Sequence, residues 1–115
     1  MLILFDQATP VPIRAYLQGH TVRTAAQQGW DKLKNGDLLT AAEQAGFDLL
    51  LTTDKNLRYQ QNLTGRKLAI LVLGRQQWPQ LRPYVQRVVE AINTATQGSY
   101  MEIEIPGQEE SNKHL

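Results

Sequence analysis

Cysteine is absent from this 115-residue chain, which removes disulfides, thiolate metal sites and cysteine nucleophiles together. The same absence points to a reducing, cytoplasmic setting. Apolar runs are short: none approaches the ~18 residues of a membrane span. The opening Met-Leu-Ile-Leu-Phe-Asp also lacks the basic flank and the length of a signal peptide. A soluble, unexported protein with no membrane partner is therefore expected. Histidine is confined to the isolated His20 and His114, which leaves little for a histidine-based metal site or triad. Residues 55–89 contain no acid.

That last absence is the more informative one, because the net charge of +1 conceals a segregation. Residues 1–54 hold six acids and four bases, residues 55–89 hold seven bases, and residues 90–115 hold five acids and one base. The basic block is Lys55, Arg58, Arg66, Lys67, Arg75, Arg82 and Arg87. Such a block attracts an anionic polymer through counterion release, unless its members lie on separate solvated faces. Hydrophobic residues at 42% and charged residues at 20% are ordinary globular values. The length fits one domain, assigned to residues 1–105, with a polar and disordered tail over 106–115.

Leu49-Leu50-Leu51 is an uninterrupted apolar run suited to a strand covered on both faces, and Asp54 follows it after two threonines. Leu2 to Phe5 repeats the pattern and ends at Asp6. Helical spacing of Ile13, Tyr16 and Leu17 follows Pro10-Val11-Pro12, and His20 to Thr24 reads as a short strand. Residues 25–34 have no clear period and read as a loop around Trp30. A helix capped by Asn35 carries Leu38, Leu39, Ala42 and Ala45 on one face, stops at Gly46, and holds Asp37 in its first turn. Residues 56–64 are a polar loop or short helix, and Leu68 to Leu73 is the clearest core strand. Pro79 opens a helix with Leu81, Val85, Val88, Ile92 and Ala95 at intervals of three and four, and Tyr100 to Ile105 alternates as an edge strand able to pair across a homodimer.

Strands alternating with helices imply an α/β fold, a three-layer α/β/α sandwich with a mainly parallel sheet. Asp6 and Asp54 then share the carboxyl edge of the sheet, where open α/β folds bind ligands. Asp37 joins them if its helix begins on that side. Carboxylates brought together repel unless a proton or cation lies between them, and Mg²⁺ or Mn²⁺ is the hard ion that such oxygens suit. The plainer readings are a helix N-terminal acid for Asp37 and turn caps for Asp6 and Asp54. Tyr59 and Trp78 are single aromatics that fit core or rim as well as base stacking.

Leu-Ile-Leu-Phe-Asp, Gly19-His20-Thr21-Val22-Arg23, Gly29-Trp30, Leu33 to Leu39 and Phe47 to Asn62, in this order, resemble the small PIN-like proteins of unknown function that are similar to toxin ribonucleases of toxin-antitoxin pairs. The similarity spans roughly residues 2–105, and Thr52 to Asn62 is its most specific part. The resemblance implies a PIN-like sandwich and a metal-dependent cut in RNA, with an antitoxin protein as a further partner. It makes Asp6, Asp37 and Asp54 the catalytic and metal-binding acids, with Mg²⁺ or Mn²⁺ as cofactor. Lys55, Arg58 and Arg75 are the candidate RNA-binding cations, and Asn56, Gln61 and Asn62 match a polar motif of unassigned role. Gln7 stands where members often have an acid, and Gly74-Arg75-Gln76-Gln77 carries no fourth acid. The alternative is a catalytically inactive module that binds RNA or a partner protein. A phosphoacceptor receiver domain also places acids after its first and third strands, but the Leu73-Gly74 strand end lacks the hydroxyl residue and no lysine follows the last strand.

Overall fold

The computed structural model describes residues 1–74 and 77–105; the expected disordered tail, 106–115, and Arg75 lie outside the described residues. Five strands form one all-parallel sheet: β1 (Leu2–Phe5), β2 (Thr21–Thr24), β3 (Leu49–Thr52), β4 (Ala69–Leu73) and β5 (Tyr100–Ile103). Their spatial order is β2-β1-β3-β4-β5. Helices α1 (Asn35–Gln44), α2 (Leu57–Gln60), α3 (Trp78–Leu81) and α4 (Val85–Thr94) lie between strands, with 3-10 turns at Val11–Tyr16 and Arg82–Tyr84. The architecture is the expected α/β sandwich, and its edge strand β5 is parallel like the rest. Among the described residues no helix is long and apolar enough to cross a membrane.

Strand alternation sorts the apolar side chains into two cores. Ile3, Phe5, Leu49, Leu51, Leu71 and Leu73 face the layer made by Ile13, Leu81, Val88 and Ile92. Leu4, Leu50, Ile70 and Val72 face Leu38, Leu39 and Ala42 of α1 and Leu57 of α2. Both faces of β3 and β4 are thus buried, which explains why they read as continuous apolar runs rather than alternating ones. Each fully buried Leu or Ile contributes roughly 1.5–3 kcal/mol.

Several elements differ from the spacing-based expectation: the helix expected after Pro10 is a 3-10 turn at Val11–Tyr16, the edge strand expected to reach Ile105 ends at Ile103, and two helices are changed as well. The helix expected from Pro79 onward is interrupted: a 3-10 turn at Arg82–Tyr84 separates α3 from α4. Pro83 has no N–H to donate one turn back, so the helical ladder cannot run through it. The helix expected to be capped by Asn35 instead includes it, with Lys34 at the cap position and no side-chain cap. The turn before β5 depends on Gly98, whose φ is +75° and where a Cβ would lie 2.7 Å from the Arg66 carbonyl oxygen.

Candidate functional site

In the strand order 2-1-3-4-5 the connections from β1 diverge to opposite sides, and the crevice beyond the carboxyl ends of β1 and β3 is the topological switch point. Asp6 and Asp54 emerge there. The register pairs Phe5 with Leu51, so Asp6 lies beside Thr52. Asp6 extends the ladder by donating its N–H to the Leu51 carbonyl at 3.0 Å. Thr52, on the same face as Asp6, donates its hydroxyl to Asp6 Oδ2 at 2.7 Å and accepts the Asp54 N–H at 3.1 Å. One buried hydroxyl therefore joins the two acidic loops. Gln7 N–H donates to Asp6 Oδ1 at 2.7 Å, and Asn56 N–H to Asp54 Oδ1 at 2.9 Å. Both aspartates are half-buried, oriented by protein donors and still open to a cavity.

The polarity of this end is unusual within the molecule. Among the described residues the buried polar side chains are Thr9, Thr52 and Thr53, and all lie at this edge. Thr9 donates its hydroxyl to the Leu51 carbonyl at 2.8 Å, which ties the loop after β1 to β3. A cleft of about 760 Å³ opens above them, lined by Asp6, Gln7, Thr53, Asp54, Lys55, Asn56, Gln77 and Gln80 among others. On the other side of the acid pair a cavity of about 270 Å³ is lined by Trp30, Leu33, Lys34 and Leu38. Asp6 and Asp54 belong to both walls.

Asp37 does not join them. Its neighbours Lys34 and Leu38 line the smaller cavity, while Asp37 itself is exposed. Leu38, Leu39 and Ala42 fix which side of α1 faces the sheet, and Asp37 falls on the side of the helix turned away from it. Among the described residues no group of three or more acidic or histidine side chains is placed to hold a metal ion. The pair Asp6 and Asp54 is what the fold assembles.

The other candidates separate by position. Lys55 and Asn56 line the larger cleft. Arg58 does not: its Nη2 donates to the Tyr59 hydroxyl at 2.6 Å, its Nε lies 3.6 Å from Glu102, and it sits over the rings of Tyr59 and Tyr100. Burial, then the hydrogen bond to Glu102, raises the Tyr100 hydroxyl well above the ordinary tyrosine range. Gln61 packs against the first turn of α1, where a Cβ on Gly36 would lie 2.6 Å from its Oε1. Asn62 Oδ1 accepts the Thr64 N–H at 3.0 Å in a local turn. Trp78 packs on Tyr16 with ring centroids 5.7 Å apart, and His20 bonds Asn93 at 2.9 Å, away from the acids.

Sequence reasoning missed Thr52 as the link between the acids, and missed the amides Gln77 and Gln80. The signal for Thr52 was a hydroxyl in the last position of an otherwise apolar strand. No signal marked the glutamines before the cleft was assembled. Comparison with protein-family models, with curated proteins and with solved structures yields no match.

Proposed function

We propose that the chain is a metal-dependent ribonuclease that hydrolyses phosphodiester bonds at the Asp6 and Asp54 edge of the sheet. The observation that carries this reading is the Thr52 hydroxyl, which donates to the Asp6 carboxylate and accepts the backbone N–H of Asp54, so that two half-buried acids share one cleft wall. The donor set is carboxylate oxygen without sulfur or imidazole, which suits a hard divalent ion. Two carboxylates are enough for one Mg²⁺ or Mn²⁺, since magnesium retains waters and needs only one or two protein acids. When bound by Asp6 and Asp54, that ion would supply a polarised phosphoryl oxygen and a water of lowered pKa.

The chain's own groups account for the rest. Thr52 and the Gln7 and Asn56 N–H groups fix the acids before substrate arrives, so little reorganisation is needed. Lys55, in the same cleft, offsets phosphate charge. The PIN-like resemblance supports RNA as substrate and a toxin's place beside an antitoxin. A labelled single-stranded RNA should be cleaved with Mg²⁺ or Mn²⁺, not with EDTA, and not by Asp54→Asn. Cleavage that persists in chelator or in that variant would overturn the reading.

A second reading is favoured by the separation of Asp37 from the acid pair: a non-catalytic module that binds RNA or a partner protein. For RNA it gives binding that weakens steeply with salt and no cleavage with either ion.

A further inference from the structure

The cleft is larger than a phosphate and its counter-ion require. At about 760 Å³ it lies within the ~300–1,000 Å³ of sites that take whole small molecules. Its wall carries four amide side chains, Gln7, Asn56, Gln77 and Gln80, against one cation, Lys55, among the described residues. These amides come from the loop after β1, the loop after β3 and the start of α3. None of the described side chains lining the cleft is aromatic, so stacking is not what this surface offers.

An amide presents donors and an acceptor in one plane, which matches paired donors and acceptors on the edge of a nucleobase. Phosphate recognition instead favours guanidinium and ammonium groups. Gln7 and Asn56 contribute backbone N–H groups that orient the acids, whereas Gln77 and Gln80 are exposed and separate from that network. Gln77, at the cap position before α3, and Gln80, within it, line the same cleft.

Resting on the phosphodiester reading above, we infer that this amide wall holds the base beside the scissile phosphate and reads its edge, with Gln77 and Gln80 as specificity-determining residues. Adenine is the expected base, because its N6 donor and N7 acceptor pair with a glutamine amide in two hydrogen bonds. In single-stranded RNA that edge is open to a side chain.

The test uses four RNA homopolymers of A, C, G and U with the full chain and Mn²⁺. Wild type should cleave the adenine polymer about tenfold faster than the others, given the discrimination of one solvent-exposed bidentate pair. Gln77→Ala/Gln80→Ala should reduce that preference to within about twofold while cleavage of the poorer polymers continues. Gln80→Ala alone supplies a milder variant, and circular dichroism checks the fold of each. A different preferred base whose advantage the double substitution erases upholds the wall and corrects the base. Equal cleavage of all four, or a preference that survives the double substitution, overturns the inference and leaves hydrolysis standing. If none is cleaved, the same polymers are titrated by fluorescence anisotropy: base-selective binding lost in the double variant upholds the inference without hydrolysis, and unselective or absent binding overturns it.

Discussion

At the amino end of the sheet, Glu43 accepts from Arg66 Nη1 at 2.6 Å, from the Lys67 N–H at 2.7 Å and from the Leu68 N–H at 3.3 Å. Asp48, at the same end, accepts the Leu2 N–H at 2.8 Å. At the carboxyl end, Asp6 and Asp54 accept from Thr52, Gln7 and Asn56, and both line an open cleft. The side-chain chemistry is the same in each place. What separates Glu43 from the cleft acids is whether an opposite charge is already supplied: Glu43 has Arg66, whereas neither Asp6 nor Asp54, nor Asp48 at Glu43's own end, forms an ion pair with a described cation. An acid neutralised within the fold locks loops together. An acid oriented by neutral donors keeps its charge for an incoming cation.

Exchanging charge for amide at each end should split the two roles, and this is the largest effect expected. Asp54→Asn should lower RNA cleavage by about three orders of magnitude with little change in stability. Glu43→Gln should do the reverse, costing roughly 1–3 kcal/mol in urea denaturation and leaving cleavage close to wild type at a permissive temperature. The pH dependence follows from the same contacts. Burial raises the Glu43 pKa, but hydrogen bonds from Lys67, Arg66 and Leu68 outweigh it and leave the net value below the ordinary 4.5. A carboxyl group with a lowered folded pKa adds stability above its unfolded pKa, and that stability disappears as pH falls through the folded value. Wild type should therefore lose stability below about pH 4.5 by an increment that Glu43→Gln lacks. Equal acid sensitivity in the two proteins would remove Glu43 from the structural side of the comparison.

Thr52→Val is a smaller perturbation, aimed at the hydroxyl that joins the acids. Shape is nearly conserved, but the donor to Asp6 and the acceptor for Asp54 N–H are lost. Cleavage should fall about tenfold and stability by roughly 1–2 kcal/mol, since a part-buried N–H and a part-buried carboxylate oxygen each lose a partner. If cleavage is unchanged, the acids are oriented without Thr52 and the hydroxyl belongs with the structural contacts at the other end.

Much of this arrangement was legible before any coordinates. Apolar runs at Leu2 and Leu49 marked strands, and an acid just beyond each placed Asp6 and Asp54 at one edge. What sequence could not supply was azimuth and register. Asp37 occupies the correct end of the correct helix, but which way it points depends on how Leu38, Leu39 and Ala42 seat α1 on the sheet. The Thr52 contact exists because Phe5 pairs with Leu51, a register that no local pattern specifies. Glu43 and Arg66 are far apart in sequence, with β3 between them, and their contact depends on tertiary placement that no local pattern specifies. Pro83 was a readable signal, and the helical spacing around it masked the break.

The smallest effect concerns two neighbouring cations, Lys55 and Arg58. Lys55 lines the cleft, and Arg58 is held by Tyr59, Tyr100 and Glu102 at the side of β5. Proximity in sequence to Asp54 suggests one shared role, but α2 carries Arg58 away from the acid pair. Lys55→Ala should weaken RNA binding about three- to tenfold and reduce the slope of log affinity against log salt by about one, the signature of a single phosphate contact. Arg58→Ala should leave both binding and slope nearly unchanged, because its charge is already opposed by Glu102 3.6 Å away. An equal loss of slope in the two variants would mean that bound RNA extends from the cleft along α2 to β5, and that the boundary between ligand-facing and structural charge lies farther from Asp54 than the contacts of Arg58 imply.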